Sequence, residues 1–163
     1  MRFCAWASVM LTLTLAAATT LHAASSEVTA EQAAARIIAA RGTAVVVVLF
    51  ASDCPRSQAF LPAFSELVRR GVPGRAKVLV FATDDEKEPL ERYLSANRFA
   101  VSPVWIKPWS AGALSAAMTP ASVRIGATFD LPLVAVLDAN GHSVAQWGGM
   151  SADDVSRIAR ALE

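Results

Sequence analysis

The run Val45-Val46-Val47-Val48-Leu49-Phe50-Ala51-Ser52-Asp53-Cys54-Pro55-Arg56-Ser57 decides how the rest of the chain is read. Its first six residues are β-branched or apolar without alternation, the pattern of a strand covered on both faces in the middle of a sheet. Phe60, Leu61, Phe64, Leu67 and Val68 then recur at helical spacing, so a helix begins near Cys54. Pro55 suits its first position, where no amide hydrogen is needed. A thiol there sits at the positive end of the helix dipole, which favours negative charge on sulfur. Arg56 adds to that field and Asp53 opposes it. The competing reading is a buried cysteine acting as a small hydrophobe; the helix-start context favours a reacting thiol.

On the N-terminal side, Thr29-Ala30-Glu31-Gln32 reads as a capping box, Ala34, Ile37 and Ile38 as an apolar stripe and Gly42 as the stop. On the C-terminal side, Gly71 and Gly74 bracket a turn before a second buried strand, Lys77–Ala82. Thr83-Asp84-Asp85-Glu86 reads as a second capping box, with the acidic run 84–88 as a helix start whose charges suit the dipole. Leu90, Tyr93 and Leu94 form that helix's apolar stripe. A short strand over Val104–Ile106 and a short helix over Ala111–Met118 follow. Leu133–Leu137, the tight turn Asp138-Ala139-Asn140-Gly141 and Ser143–Trp147 read as a closing hairpin. Ser151 caps a last helix with Val155, Ile158, Ala159 and Leu162 on one face. Strands alternating with helices predict an α/β layer structure, with antiparallel strands on one side of the sheet.

The chain has 163 residues, a one-domain length. Residues 1–23 read as a cleaved secretory signal peptide. Arg2 is the only charge before Glu27, an apolar run covers 5–15, and small residues lead to Ala23. That run falls short of the roughly 20 apolar residues of a spanning helix. The expected mature domain is 24–163, periplasmic or otherwise exported, with membrane contact only if the signal stays uncleaved. Cleavage leaves 14 basic residues against 14 acidic ones. That balance, with no basic run carrying interleaved aromatics, excludes nucleic acid as a partner. Cleavage also removes Cys4, and the remaining Cys54 has no partner within the chain, which points to a reactive thiol or intermolecular pairing. One cysteine and the distant His142 make a poor metal site. Neither a metal nor a cofactor is expected. Trp105, Trp109 and Trp147 read as core or partly buried aromatics, with a client groove as the alternative.

Two prolines complete the pattern. Pro62 falls eight residues after Cys54, inside the expected helix, and Pro132 stands immediately before a strand, after Leu131. Together with the strand before Cys54, they resemble the fixed points of the thioredoxin superfamily: Cys-x-x-Cys at a helix start, a proline eight residues on, and a cis-proline opening a later strand. The closing hairpin, Trp147-Gly148-Gly149 and the final helix resemble that family's ending. The stretch 90–131 resembles the strand-and-helix insert of the exported TlpA/ResA type. The resemblance implies a thioredoxin-like fold with a central mixed sheet, flanking helices and a small insert before the cis-proline. It implies a cis Leu131–Pro132 bond facing the sulfur and a site of Cys54, Ser57 and Pro132. It implies protein thiols or disulfides as partners, and a membrane-bound electron donor.

Three positions depart from the family pattern. Ser57 stands where the resolving cysteine belongs, Asp53 where tryptophan is common, and Val48 where many members carry a polar or acidic residue for proton transfer. Thiol–disulfide exchange runs through a mixed disulfide, which serine cannot resolve. Ser57 reads either as a helix cap or as a residue tuning the sulfur. The expected function is monothiol exchange with protein clients, Cys54 being the nucleophile. The alternative is a redox-inactive module that binds cysteine-containing partners. Ala51 occupies the position where peroxiredoxins carry threonine, and the signal segment and insert separate the chain from monothiol glutaredoxins.

Overall fold

The computed structural model describes residues 26–71, 74 and 76–163; the expected signal segment 1–23, Cys4 included, lies outside them. In chain order the elements are β1 (Glu27–Val28), α1 (Ala30–Ala39), β2 (Val45–Phe50), α2 (Pro55–Arg69), β3 (Lys77–Ala82), α3 (Lys87–Ala96), β4 (Val104–Ile106), α4 (Ala111–Met118), β5 (Leu133–Leu137), β6 (Ser143–Trp147) and α5 (Ser156–Arg160). Short 3-10 turns occupy Thr119–Ala121 and Ala152–Val155. The strands form one mixed sheet in the order β1-β4-β3-β2-β5-β6. β2 runs parallel to β3 and antiparallel to β5, and β5 runs antiparallel to β6.

β2 is central because its sequence has no polar face to offer water. All six of its residues are buried. Val45, Val47 and Leu49 join Ile37, Leu114, Met118 and Leu137 in one core, under α1 and α4. Val46, Val48 and Phe50 join Phe60, Phe64, Leu90 and Ile158 in the other, under α2, α3 and α5. Burying each such side chain stabilises the fold by about 1.5–3 kcal/mol relative to exposure. The result is helix, sheet, helix in three layers, the α/β architecture that the alternation of elements implied.

α1 begins on the capping box read from the sequence. Gln32 N–H donates to Thr29 Oγ1 at 3.3 Å, and Thr29 N–H donates to Gln32 Oε1 at 3.0 Å. The hairpin turn is held by Asp138, whose Oδ1 accepts from Asn140 N–H at 2.9 Å and His142 N–H at 2.8 Å. Those bonds, the His142 amide first, keep the Asp138 carboxyl below its usual range. His142 is exposed. Pro62 lies inside α2.

Two expectations need correction. Thr83-Asp84-Asp85-Glu86 is not a capping box: α3 starts at Lys87, with Glu86 at its N-cap and no side-chain cap bond. Thr83 and Asp84 are buried and bond backward to the β2 region. Ser151 does form a capping box with Asp154, but it opens the 3-10 turn Ala152–Val155, and α5 proper starts at Ser156. β1 was not legible, since two residues carry no period; it exists because Glu27 and Val28 pair with Trp105 and Ile106 of β4. Within 90–131, β4 extends the main sheet by pairing with β3, and α4 lies on the core under α1.

Candidate functional site around Cys54

Cys54 is delivered by a turn between the central strand and α2. Its N–H donates to Ala51 O at 3.2 Å, closing a turn over residues 51–54. Its own carbonyl accepts from Gln58 N–H at 3.0 Å, and Pro55 takes the first helical position, so Cys54 is the N-cap of α2. The residue is partly buried. Among the described residues it is the free cysteine.

The antiparallel register sets what faces the sulfur. Leu49 of β2 pairs with Leu133 of β5. Continuing that register sets Pro132 opposite Phe50, the last residue of β2, and carries Leu131 past its end toward the turn. The Leu131–Pro132 peptide bond is cis, as is Lys107–Pro108. Cys54 donates its thiol hydrogen to Leu131 O at a sulfur–oxygen distance of 3.6 Å. Cys54 and Pro132, 78 positions apart in the sequence, are thus brought to one place at the C-terminal end of β2.

Asp130 and the two glycines after β6 form the rim. Gly149 N–H donates to Asp130 O at 3.2 Å. A Cβ on Gly148 would stand 3.2 Å from that same oxygen, and one on Gly149 would stand 2.6 Å from Arg56 Nη1. Gly149 has a φ of +65°, which glycine adopts without strain. Arg56 therefore lies across Gly149, near Asp130, on an exposed edge of the thiol site. Trp147 is half-buried, with the Arg157 guanidinium 5.3 Å from its ring centre.

Of the two readings of Ser57, the helix cap is not formed. Its side chain is fully buried, and Oγ has no hydrogen-bond partner. It faces the interior from the first turn of α2, where it neither caps an amide nor meets solvent. Trp105 does not line a groove: it is buried, and its indole N–H donates to Asp84 O at 2.8 Å. Trp109 is partly buried beside the α1 and α4 core.

The sequence also hid a polar cluster behind the turn. Asp84 Oδ1 accepts from Ser52 N–H at 2.9 Å and from the Ser52 hydroxyl. Ser52 O accepts from Gln58 Nε2 at 2.7 Å. Burial pushes the Asp84 carboxyl above its usual range, against the pull of the Ser52 bonds. The position of Asp84 just beyond a buried strand was the available signal, and the acidic run around it masked it. Among the described residues no group of three or more His, Cys, Asp and Glu is placed to hold a metal, and no helix is long and apolar enough to cross a membrane.

The fold that carries this site is similar to that of a set of solved structures. StoA from Bacillus subtilis superposes with a TM-score of 0.57 at 16% identity, over 77% of this chain and 87% of that one. A thioredoxin-family thiol:disulfide interchange protein from Chlorobium tepidum gives 0.59 at 20% identity, over 77% and 84%. A secreted Mycobacterium tuberculosis disulfide oxidoreductase gives 0.56 at 17% identity, over 76% and 85%. The chain has a thioredoxin-like fold. No protein-family model and no curated protein matches its sequence. Within this thioredoxin-like fold, the two ends of the site come from β2–α2 and from the loop before β5, and the rim comes from the loop after β6.

Proposed function

We propose that this protein is an exported monothiol thioredoxin-like protein that exchanges thiols and disulfides with protein clients through Cys54. The observation that carries this is the placement of the sulfur: partly buried, at the start of α2, and 3.6 Å from the carbonyl that precedes Pro132. The solved structures of similar fold include proteins described as thiol:disulfide interchange proteins and disulfide oxidoreductases, one of them secreted, which supports both the chemistry and the export. In the forward step the Cys54 thiolate attacks one sulfur of a client disulfide. A Cys54–client mixed disulfide forms, and the other client sulfur leaves as a thiolate. Ser57 offers no second thiol, so a thiol from outside must attack the mixed disulfide, releasing Cys54 and taking the client sulfur into a new disulfide. A membrane-bound electron donor is one source of that thiol.

A second reading, a redox-inactive module that holds cysteine-containing partners against the Pro132 loop, is favoured by the buried, unpartnered hydroxyl at the resolving position. Trapping separates the two. Protein isolated from its native compartment without reductant should carry disulfide-linked clients that are absent from Cys54→Ala. It should also reduce a protein disulfide slowly with an added small thiol. Partners that survive Cys54→Ala, with no reduction by the wild type, would establish the binding module instead.

A further inference from the structure

The buried carboxyl behind the thiol has no place in the exchange chemistry just described. Asp84 is 6% exposed at the end of β3, and Ser52 is 4% exposed in the turn that carries Cys54. Asp84 is fixed from the β4 side by the indole N–H of Trp105, which donates to its carbonyl at 2.8 Å. Its Oδ1 takes both donors of Ser52, the N–H at 2.9 Å and the hydroxyl. Ser52 is held from its other side by Gln58 of α2 at 2.7 Å. The turn is closed by Cys54 N–H on Ala51 O. A continuous chain of hydrogen bonds thus runs from β4 through Asp84 and Ser52 to the first turns of α2, with Cys54 lying between its last two members in sequence. Asp84 Oδ2 is buried and has no partner, so it is the atom left to take up or release a proton.

We propose that Asp84 is the positioning residue of the Cys54 site, setting the turn through Ser52 and coupling the reactivity of the thiol to its own protonation. The inference rests on the reading of Cys54 as the reacting group. A carboxylate grips Ser52 through charge-assisted hydrogen bonds, whereas the neutral acid grips it through ordinary ones of about half the strength. Loss of the charge therefore loosens the turn that aims the sulfur. The charged groups around this carboxyl are Asp53 on the turn, which pushes it upward, Asp85 beside it, and Lys107 beyond β4, whose ammonium donates to Asp85 O at 2.5 Å.

The test is the rate at which the folded exported chain reacts with 2,2′-dithiodipyridine across the acid and neutral range. The Cys54 thiolate attacks this disulfide, forms a mixed disulfide, and releases one pyridinethione, which is read by absorbance. The wild type should show an inflection above the ordinary aspartate range, in addition to that of the thiol. Asp84→Asn keeps an oxygen acceptor for Ser52 and should lose that inflection while staying within a few-fold of the wild-type rate at its acid end. Asp84→Ala and Ser52→Ala remove one side of the bond, and Cys54 should react on the order of tenfold more slowly in each at neutral pH, the scale expected when a reacting group is slightly misplaced. Far-UV circular dichroism confirms that each variant is folded, and Ser52→Ala decides the matter if Asp84→Ala is not. Equal rates and one shared inflection in all folded variants would overturn the positioning role and leave the exchange reading intact. A folded wild type that releases no pyridinethione, while the urea-unfolded chain does, would remove both.

Discussion

Replacing Ser57 by alanine tests the site from its buried side. The hydroxyl is fully buried and has no hydrogen-bond partner. Burying a hydroxyl unpaired costs about 1–3 kcal/mol in protein mutational data. Alanine removes that cost and leaves a void the size of one oxygen, which takes back up to about 1 kcal/mol. The net expectation is a gain of about 1 kcal/mol, or a rise in Tm of about 3–4 °C for a domain of this size. The assay is equilibrium urea unfolding of the purified chain. With m near 2 kcal/mol/M, the midpoint should rise by about 0.5 M at unchanged slope. The rate of Cys54 with a disulfide probe should stay within about twofold, since Ser57 supplies no proton and no nucleophile to the sulfur. A fall in the midpoint of similar size would refute the reasoning, because it would mean that Ser57 holds the start of α2 through a bond that this geometry does not contain.

Other outcomes follow from the same structure. Ser57→Cys should form an intramolecular disulfide with Cys54 and raise turnover in a protein disulfide reduction assay; a disulfide that forms without raising turnover would shift the balance to the binding reading. Phe60→Ala, at a fully buried position, should cost about 3–5 kcal/mol in urea unfolding. Gly149→Ala places a side chain at a φ of +65° and against Arg56, and should cost about 1–2 kcal/mol while displacing the Arg56 guanidinium, read as a changed rate with anionic disulfide probes. The depressed Asp138 carboxyl contributes stability above the ordinary aspartate range and loses it as pH falls through its lowered value; Asp138→Asn should flatten that acid-side loss in unfolding midpoints measured against pH. Intact mass of the exported protein should correspond to a chain beginning near Ala24 with one alkylatable thiol, and a species retaining Arg2 would contradict the expected cleavage.

The sequence by itself determined the elements whose cause is local. Val45–Phe50 could only be an inner strand, because six apolar residues in a row leave no face for water. Pro55 after Cys54 and the spacing of Phe60, Leu61 and Phe64 placed the helix start and its buried side. Thr29 with Gln32, and Asp138 with Gly141, carried their own hydrogen-bond partners within four residues, so their turns were legible as written. The tertiary structure decided everything whose partner lies far along the chain. Asp84 looked like a helix-start charge because its neighbours are acidic; its real donor, Ser52, is 32 residues away and reaches it only because β2 and β3 pair in parallel. A cap was one of two readings open for Ser57 because serine is favoured at helix starts, but the side chain is buried in a core that no local pattern reveals. The sulfur of Cys54 meets Leu131 O across 77 residues, and Gly149 lies under Arg56, because the sheet brings the ends of its strands to one edge. A residue's secondary structure follows from its near neighbours, whereas its partner across the sheet follows from how the whole chain closes.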